Sequence, residues 1–209
     1  MIKMIEVKGL IRSGYSSNVF LVKSEKNFIV DAGMNDPDQI IEAVDDFMSE
    51  VDTIILTHRH IDHVGNAGRL SEVFYVPLYA QEKEARAMKK GDESTLARQF
   101  NKNIFPLDVN VIDFEEFSGF EVLHTPGHTN GSICLYHPEE KVLFSGDTIF
   151  SNGGVGRTDL PTGDIDDLVE STRKLTNYDI EKIYPGHMSI VEKDGNTHVK
   201  RSHDNIHYL

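Results

Sequence analysis

Six consecutive residues, His58-Arg59-His60-Ile61-Asp62-His63, constrain this chain more than any other feature. They follow the apolar run Thr53–Leu56, which reads as a buried strand, and precede the small residues Gly65 and Gly68. Residues two apart in an extended chain project to the same side, so His58 and His60 can address one point. Asp62 and His63 come after the chain has turned and can address a second point nearby. In a chain of this histidine content the pattern should arise by chance in roughly two sequences per thousand. Arg59, on the opposite projection, reads as a surface or site-mouth residue.

Three isolated ligand types recur in matching contexts. His128 sits in Thr125-Pro126-Gly127-His128-Thr129-Asn130-Gly131-Ser132, Asp147 closes Val142–Asp147, and His187 closes Ile183–His187. Each follows a glycine, which lets backbone approach a crowded centre. Each also lies at the end of an apolar run or in the loop beside one, where functional residues gather on a rigid scaffold. Taken singly, any of the seven would be read as a hydrogen-bonding or capping side chain. Taken together they read as a metal site.

Seven N/O donors without a thiolate suit zinc, and less selectively iron or manganese. They are too many for one tetrahedral ion and about right for two ions sharing a carboxylate. Two ions ~3.5 to 4 Å apart can hold a bridging hydroxide and polarise a carbonyl. That arrangement makes a nucleophile at neutral pH without a serine or cysteine.

Length and composition narrow the setting. The chain has 209 residues, enough for one domain with a full core, and no Gly-, Ser- or Pro-rich linker breaks it. We therefore expect a single domain over 1–209. Its 21 basic and 34 acidic side chains give a net charge of −13, which argues against a nucleic-acid partner. No apolar run approaches the ~18 to 20 residues of a membrane span, and residues 1–9 lack the apolar core of a secretory signal. Cys134, the single cysteine, excludes an internal disulfide and fits a reducing compartment. The expectation is a cytoplasmic protein with a small-molecule substrate, without nucleic-acid or membrane partners.

The element pattern is strands in groups with helices between and after them. Strands are expected over Ile2–Val7, Val19–Val22, Phe28–Val30, Thr53–Leu56, Glu121–His124, Ile133–Tyr136, Val142–Phe144 and Lys182–Tyr184. Gly9 and the stretch 13–17 read as punctuation. Asp36-Pro37 reads as an N-cap and first helical position ahead of Ile40, Ile41, Val44, Phe47 and Met48. Asp164 starts a second amphipathic helix with Ile165, Leu168, Val169, Thr172 and Leu175 on one face. The charged, helix-prone segment 81–103, broken at Gly91, reads as a solvated surface insertion, or else as a lid. Sheets covered by helices, an α/β class, follow from this order.

The motifs His58–His63, Gly127-His128-Thr129, Ser145-Gly146-Asp147-Thr148 and Pro185-Gly186-His187 resemble the metallo-β-lactamase superfamily, in matching order, from Asp31-Ala32-Gly33 onward. The resemblance implies a four-layer αββα sandwich with a dinuclear site. It assigns His58, His60 and His128 to one ion, Asp62, His63 and His187 to the other, and Asp147 to both. It gives Asp31 the role of the aspartate that supports the ligand histidines, and Asp62 a catalytic role in orienting the hydroxide or passing a proton. The stretches Ser145–Phe150 and Gly153–Asp159 look most like glyoxalase II-type thioester hydrolases. Larger members of that group carry a C-terminal helical domain, whereas 22 residues follow His187 here, so a compact form without that domain is implied.

Gly156-Arg157-Thr158-Asp159 also resembles the persulfide dioxygenases of the same superfamily, which use one iron on residues mapping to His58, His128 and Asp147. A non-catalytic metal-binding member is a third reading. Arg157 either binds a substrate carboxylate or pins its loop through Asp159 or Asp164. His124, His137, His198, His203 and His207 fall outside the motifs and read as structural or exposed, with His198 and His203 in a helical tail. Cys134 reads as a small buried hydrophobe.

Overall fold

The computed structural model describes residues 4–12, 14–102, 106–112 and 117–206. The chain divides into two compact units, Met1–Ile112 and Asp113–Leu209.

The first unit is built on six described strands, β1 (Glu6–Leu10), β2 (Val19–Lys23), β3 (Phe28–Val30), β4 (Thr53–Ile55), β5 (Leu78–Ala80) and β6 (Val109–Val111), in that spatial order. β1 to β3 pair antiparallel, and β3 to β6 pair parallel. Parallel neighbours need crossovers, and helices supply them. These are α1 (Pro37–Phe47) before β4, then α2 (Ile61–Val64) and α3 (Ala67–Phe74) before β5, and α4 (Glu82–Lys90) before β6. β2, β3 and β4 carry apolar residues on both faces, Lys23 and Thr53 at strand ends apart, because both faces are buried. Leu21, Ile29, Ile54, Ile40, Leu70, Leu78 and Met88 meet in one core.

Three expectations shift here. The strand expected over 2–7 begins partly outside the described residues; the strand found runs later and takes in Gly9, paired with Phe20. Pairing there is through backbone, which glycine can supply. Asp36 occupies the N-cap of α1, yet its backbone is left-handed (φ 50°) and its side chain makes no capping bond. The described part of the segment 81–103, residues 81–102, is not solvated throughout. α4 buries Glu84, Ala85, Ala87 and Met88, because alanines alternate with charges at helical spacing. It does end at Gly91, whose left-handed backbone (φ 59°) caps it.

The second unit carries four described strands in the order β10-β9-β8-β7: β7 (Glu121–His124), β8 (Ile133–His137), β9 (Val142–Gly146) and β10 (Lys182–Pro185). β7, β8 and β9 are antiparallel, while β10 lies parallel to β9, and α5 (Ile165–Leu175) makes that crossover. Asp164 caps α5 by accepting the Asp167 N–H at 3.0 Å. Leu168 and Leu175 are buried as expected, whereas Ile165 is 39% exposed. In the first turn the apolar stripe has not yet reached the core. The last helix, α6 (Gly195–Asn205), packs on the loop after β9: Ser202 donates to the Gly154 carbonyl at 2.9 Å and Asn205 to that of Gly153 at 3.1 Å. The class is mixed α/β with two sheets.

Candidate metal centre

In the first unit, donors are placed where parallel strands end. β3 delivers Asp31, held in a left-handed conformation (φ 58°), and β4 delivers Thr57 and His58. Asp31 accepts the Thr57 N–H at 2.8 Å and the Thr57 hydroxyl at 2.9 Å, locking the two strand ends together. His58 Nδ1 lies 3.1 Å from the same hydroxyl, which can accept its proton. His60, extended (φ −62°, ψ 142°), caps α2, and its carbonyl receives the N–H groups of His63 and Val64 at 2.9 and 3.1 Å. One turn of helix therefore carries Asp62 and His63 past the histidine pair.

His63 donates from Nδ1 to Asp31 Oδ2 at 2.7 Å. That fixes Nε2 as the ring atom available to a ligand. His58, His60 and His63 are all buried, with ring centroids 4.7 Å apart for His58–His60 and 4.1 Å for His58–His63. Donor atoms of His58 and His60, of His58 and His63, and of Asp62 and His63 approach within 4.8 Å.

The second unit brings together three donors from three loops. His128 lies between β7 and β8, Asp147 follows β9, and His187 follows β10. His128 Nε2 and His187 Nε2 are each 3.6 Å from Asp147 Oδ2, beyond hydrogen-bond length but right for groups converging on one centre. His128 donates from Nδ1 to the Arg157 carbonyl at 2.7 Å, again leaving Nε2 to face the donors. Gly156 makes that approach possible, since a Cβ there would sit 2.0 Å from the Asp147 carbonyl oxygen and 2.9 Å from His128 Nδ1.

The donor chemistry fits divalent metal ions. Imidazoles and carboxylates, buried and oriented by carboxylate or carbonyl partners, are what such ions require. Of the residues expected from the sequence as ligands, His58, His60, Asp62 and His63 lie in one unit and His128, Asp147 and His187 in the other.

Two residues behave differently from their sequence reading. Arg59 is not at the surface: it is 4% exposed and forms a two-pronged ion pair with Glu84, Nε to Oε2 at 2.7 Å and Nη2 to Oε1 at 2.8 Å. Its projection away from the ligands was legible, but its partner on α4 was not. Glu84 is the signal that could have found it, an acid on the buried face of an amphipathic helix. Arg157 takes the second of its two expected roles in part, pairing with Asp159 at 2.9 and 2.8 Å, and this pairing lowers the Asp159 carboxyl pKa and raises that of the guanidinium. Both side chains remain exposed.

The other histidines have structural partners. His124 Nε2 lies 3.2 Å from the Asn130 carbonyl, His137 Nδ1 accepts the Glu140 N–H at 3.2 Å, and His198 Nδ1 accepts the Asn152 N–H at 2.8 Å. His203 Nδ1 is 3.1 Å from the Thr172 hydroxyl, and His207 lies outside the described residues. Cys134 is fully buried in β8, and burial pushes its thiol pKa up, which keeps it protonated.

The sequence profile of the metallo-beta-lactamase superfamily matches residues 12–187, and the chain belongs to that superfamily. A probable metallo-hydrolase of Methanocaldococcus jannaschii is 38% identical over 86% of this chain and 91% of its own. The hydroxyacylglutathione hydrolase GloC of Haemophilus influenzae is 32% identical over 77% of this chain and 79% of its own. Among solved structures, TTHA1623 in a di-iron-bound form superposes with a TM-score of 0.80 at 29% identity, over 90% of this chain and 96% of that one. By fold and class the protein is a metallo-β-lactamase superfamily hydrolase.

Proposed function

We propose that the protein is a dinuclear metal-dependent hydrolase of a small thioester or related ester. The seven-donor set carries this reading: four donors in one unit and three in the other, all imidazole or carboxylate. His58, His60 and His128 would hold one divalent ion, Asp62, His63 and His187 a second, and Asp147 would serve both. Zinc suits these donors best, with iron or manganese as alternatives. Such ions, when bound, supply water acidified towards neutral pH and a Lewis acid for a carbonyl oxygen.

The protein's own groups do the rest. Asp31 and the Arg157 carbonyl hold His63 and His128 in the tautomer that presents Nε2. The Asp62 side chain is 16% exposed in its unit and that of His187 24% in the other, so each remains open to solvent. The Asp62 carboxylate would orient the attacking water or accept its proton. A thiolate leaves readily, so no strong general acid is required. Arg157, exposed on the glycine-rich loop, could meet a carboxylate on the substrate.

Similarity to a hydroxyacylglutathione hydrolase supports the thioester class. The one-iron persulfide dioxygenase reading needs three donors, His58, His128 and Asp147, and leaves the other four without a purpose. The test is an assay of metal-loaded protein against thioesters, lactones and persulfides. We expect thioester cleavage without oxygen uptake, abolished in His60→Ala and Asp147→Ala variants that keep their fold. Oxygen consumption on a persulfide with no thioesterase activity would reverse the assignment.

A further inference from the structure

Glu84 does more than neutralise Arg59. Its Oε2 accepts two protons from the same residue, the Arg59 backbone N–H at 2.8 Å and Nε at 2.7 Å, while Oε1 takes Nη2 at 2.8 Å. The remaining prong, Nη1, donates to the Ser94 hydroxyl at 3.0 Å, and Asp92 holds Ser94 in turn by accepting its N–H at 2.9 Å. One carboxylate thus fixes both the peptide and the side chain of the residue between His58 and His60. The Arg59 and Glu84 side chains are only 5% and 0% exposed.

The carboxylate is itself on a rigid support. Ala85 and Met88 seat α4 in the core, Gln81 caps it by accepting the Lys83 N–H at 2.6 Å, and Gly91 closes it. A buried ion pair is a costly way to fill space, since an apolar pair of similar volume is often as stable or more so. An apolar pair could not, however, accept the peptide N–H between the two histidines. Rotation about that peptide would swing both imidazoles, and metal ligands tolerate only about 0.5 Å of misplacement.

We propose that Glu84, acting through Arg59, is a positioning residue that sets the spacing of His58 and His60 for their ion. This rests on the two-ion reading above. Zinc affinities of metal-stripped protein, measured by competition with a chromophoric chelator, test it in three forms: wild type, Glu84→Gln, and the double variant Arg59→Met with Glu84→Met. Unfolding in urea is measured on the same stripped samples.

In Glu84→Gln we expect one binding step to weaken by about 10- to 100-fold and the other to change by less than about threefold. The double variant should regain stability without regaining that affinity, because it still lacks an acceptor for the N–H of residue 59. Unchanged affinities in Glu84→Gln, or wild-type affinities in the re-stabilised double variant, would overturn the positioning role. Wild-type protein binding one ion would overturn the two-ion reading alone, with the clamp then judged on that ion's affinity. Wild-type protein binding none would remove both.

Discussion

The Asp31 carboxylate joins two strand ends and a ligand histidine at once, meeting His63 Nδ1 at 2.7 Å and the Thr57 N–H at 2.8 Å. Asparagine has nearly the same shape and tolerates the left-handed backbone there at least as well. It cannot accept on both sides. Asp31→Asn should therefore lower metal affinity by about 10- to 100-fold, through loss of the partner that orients His63. Metal-free stability should fall by about 1 to 3 kcal/mol for the buried donor left unsatisfied. Chelator competition and urea unfolding measure the two effects separately.

Gly156 admits no side chain. Gly156→Ala would drive a methyl group into the Asp147 carbonyl and the His128 ring. The loop must then move, taking with it the carbonyl that holds His128. We expect a loss of about 1 to 3 kcal/mol in stability, typical of overpacking, together with reduced metal content after reconstitution. Elemental analysis beside a melting curve checks both.

Arg157 offers its backbone to His128 and its side chain to Asp159. Arg157→Ala keeps the carbonyl and removes only the guanidinium. Metal content should be unchanged, and any kinetic effect should fall on KM for substrates carrying a carboxylate. A variant that loses metal would show that the loop depends on the Asp159 pair.

Acid should destabilise the second unit through His137. Its ring packs on Phe120 at 4.8 Å between centroids and accepts the Glu140 N–H, so the neutral form is the one that fits. Burial holds its pKa below the ordinary 6.5, with Glu140 and Glu139 opposing more weakly. A depressed histidine pKa means that the unfolded chain binds the extra proton first. The contribution to stability is present above pH 6.5 and is lost as the pH falls through the lower folded value. Stability measured on metal-free protein at stepped pH should show this loss in wild type and a flatter profile in His137→Asn.

Much of this was legible in the sequence, for identifiable reasons. The seven candidate donors stood out because their spacing follows local geometry: alternate projection for His58 and His60, and a glycine before each of His128, Asp147 and His187. The strands of the second unit were readable within two residues at their ends because they are short apolar runs bounded by turn residues. What escaped was non-local. Arg59 could be placed on the far projection, but its partner lies 25 residues on, on a helix whose charge hid its apolar face. Ala67–Phe74, Leu78–Ala80 and Val109–Val111 were missed because their apolar positions are few and become a pattern only against the core. The carbonyl that orients His128 belongs to Arg157, and backbone atoms leave no mark in a sequence.

The most direct test is the metal content of the wild-type chain after stripping, reconstitution with zinc and removal of excess ions. The seven-donor account predicts close to two ions per chain, falling in His187→Ala to one. A wild-type content of one that His187→Ala leaves unchanged would contradict it.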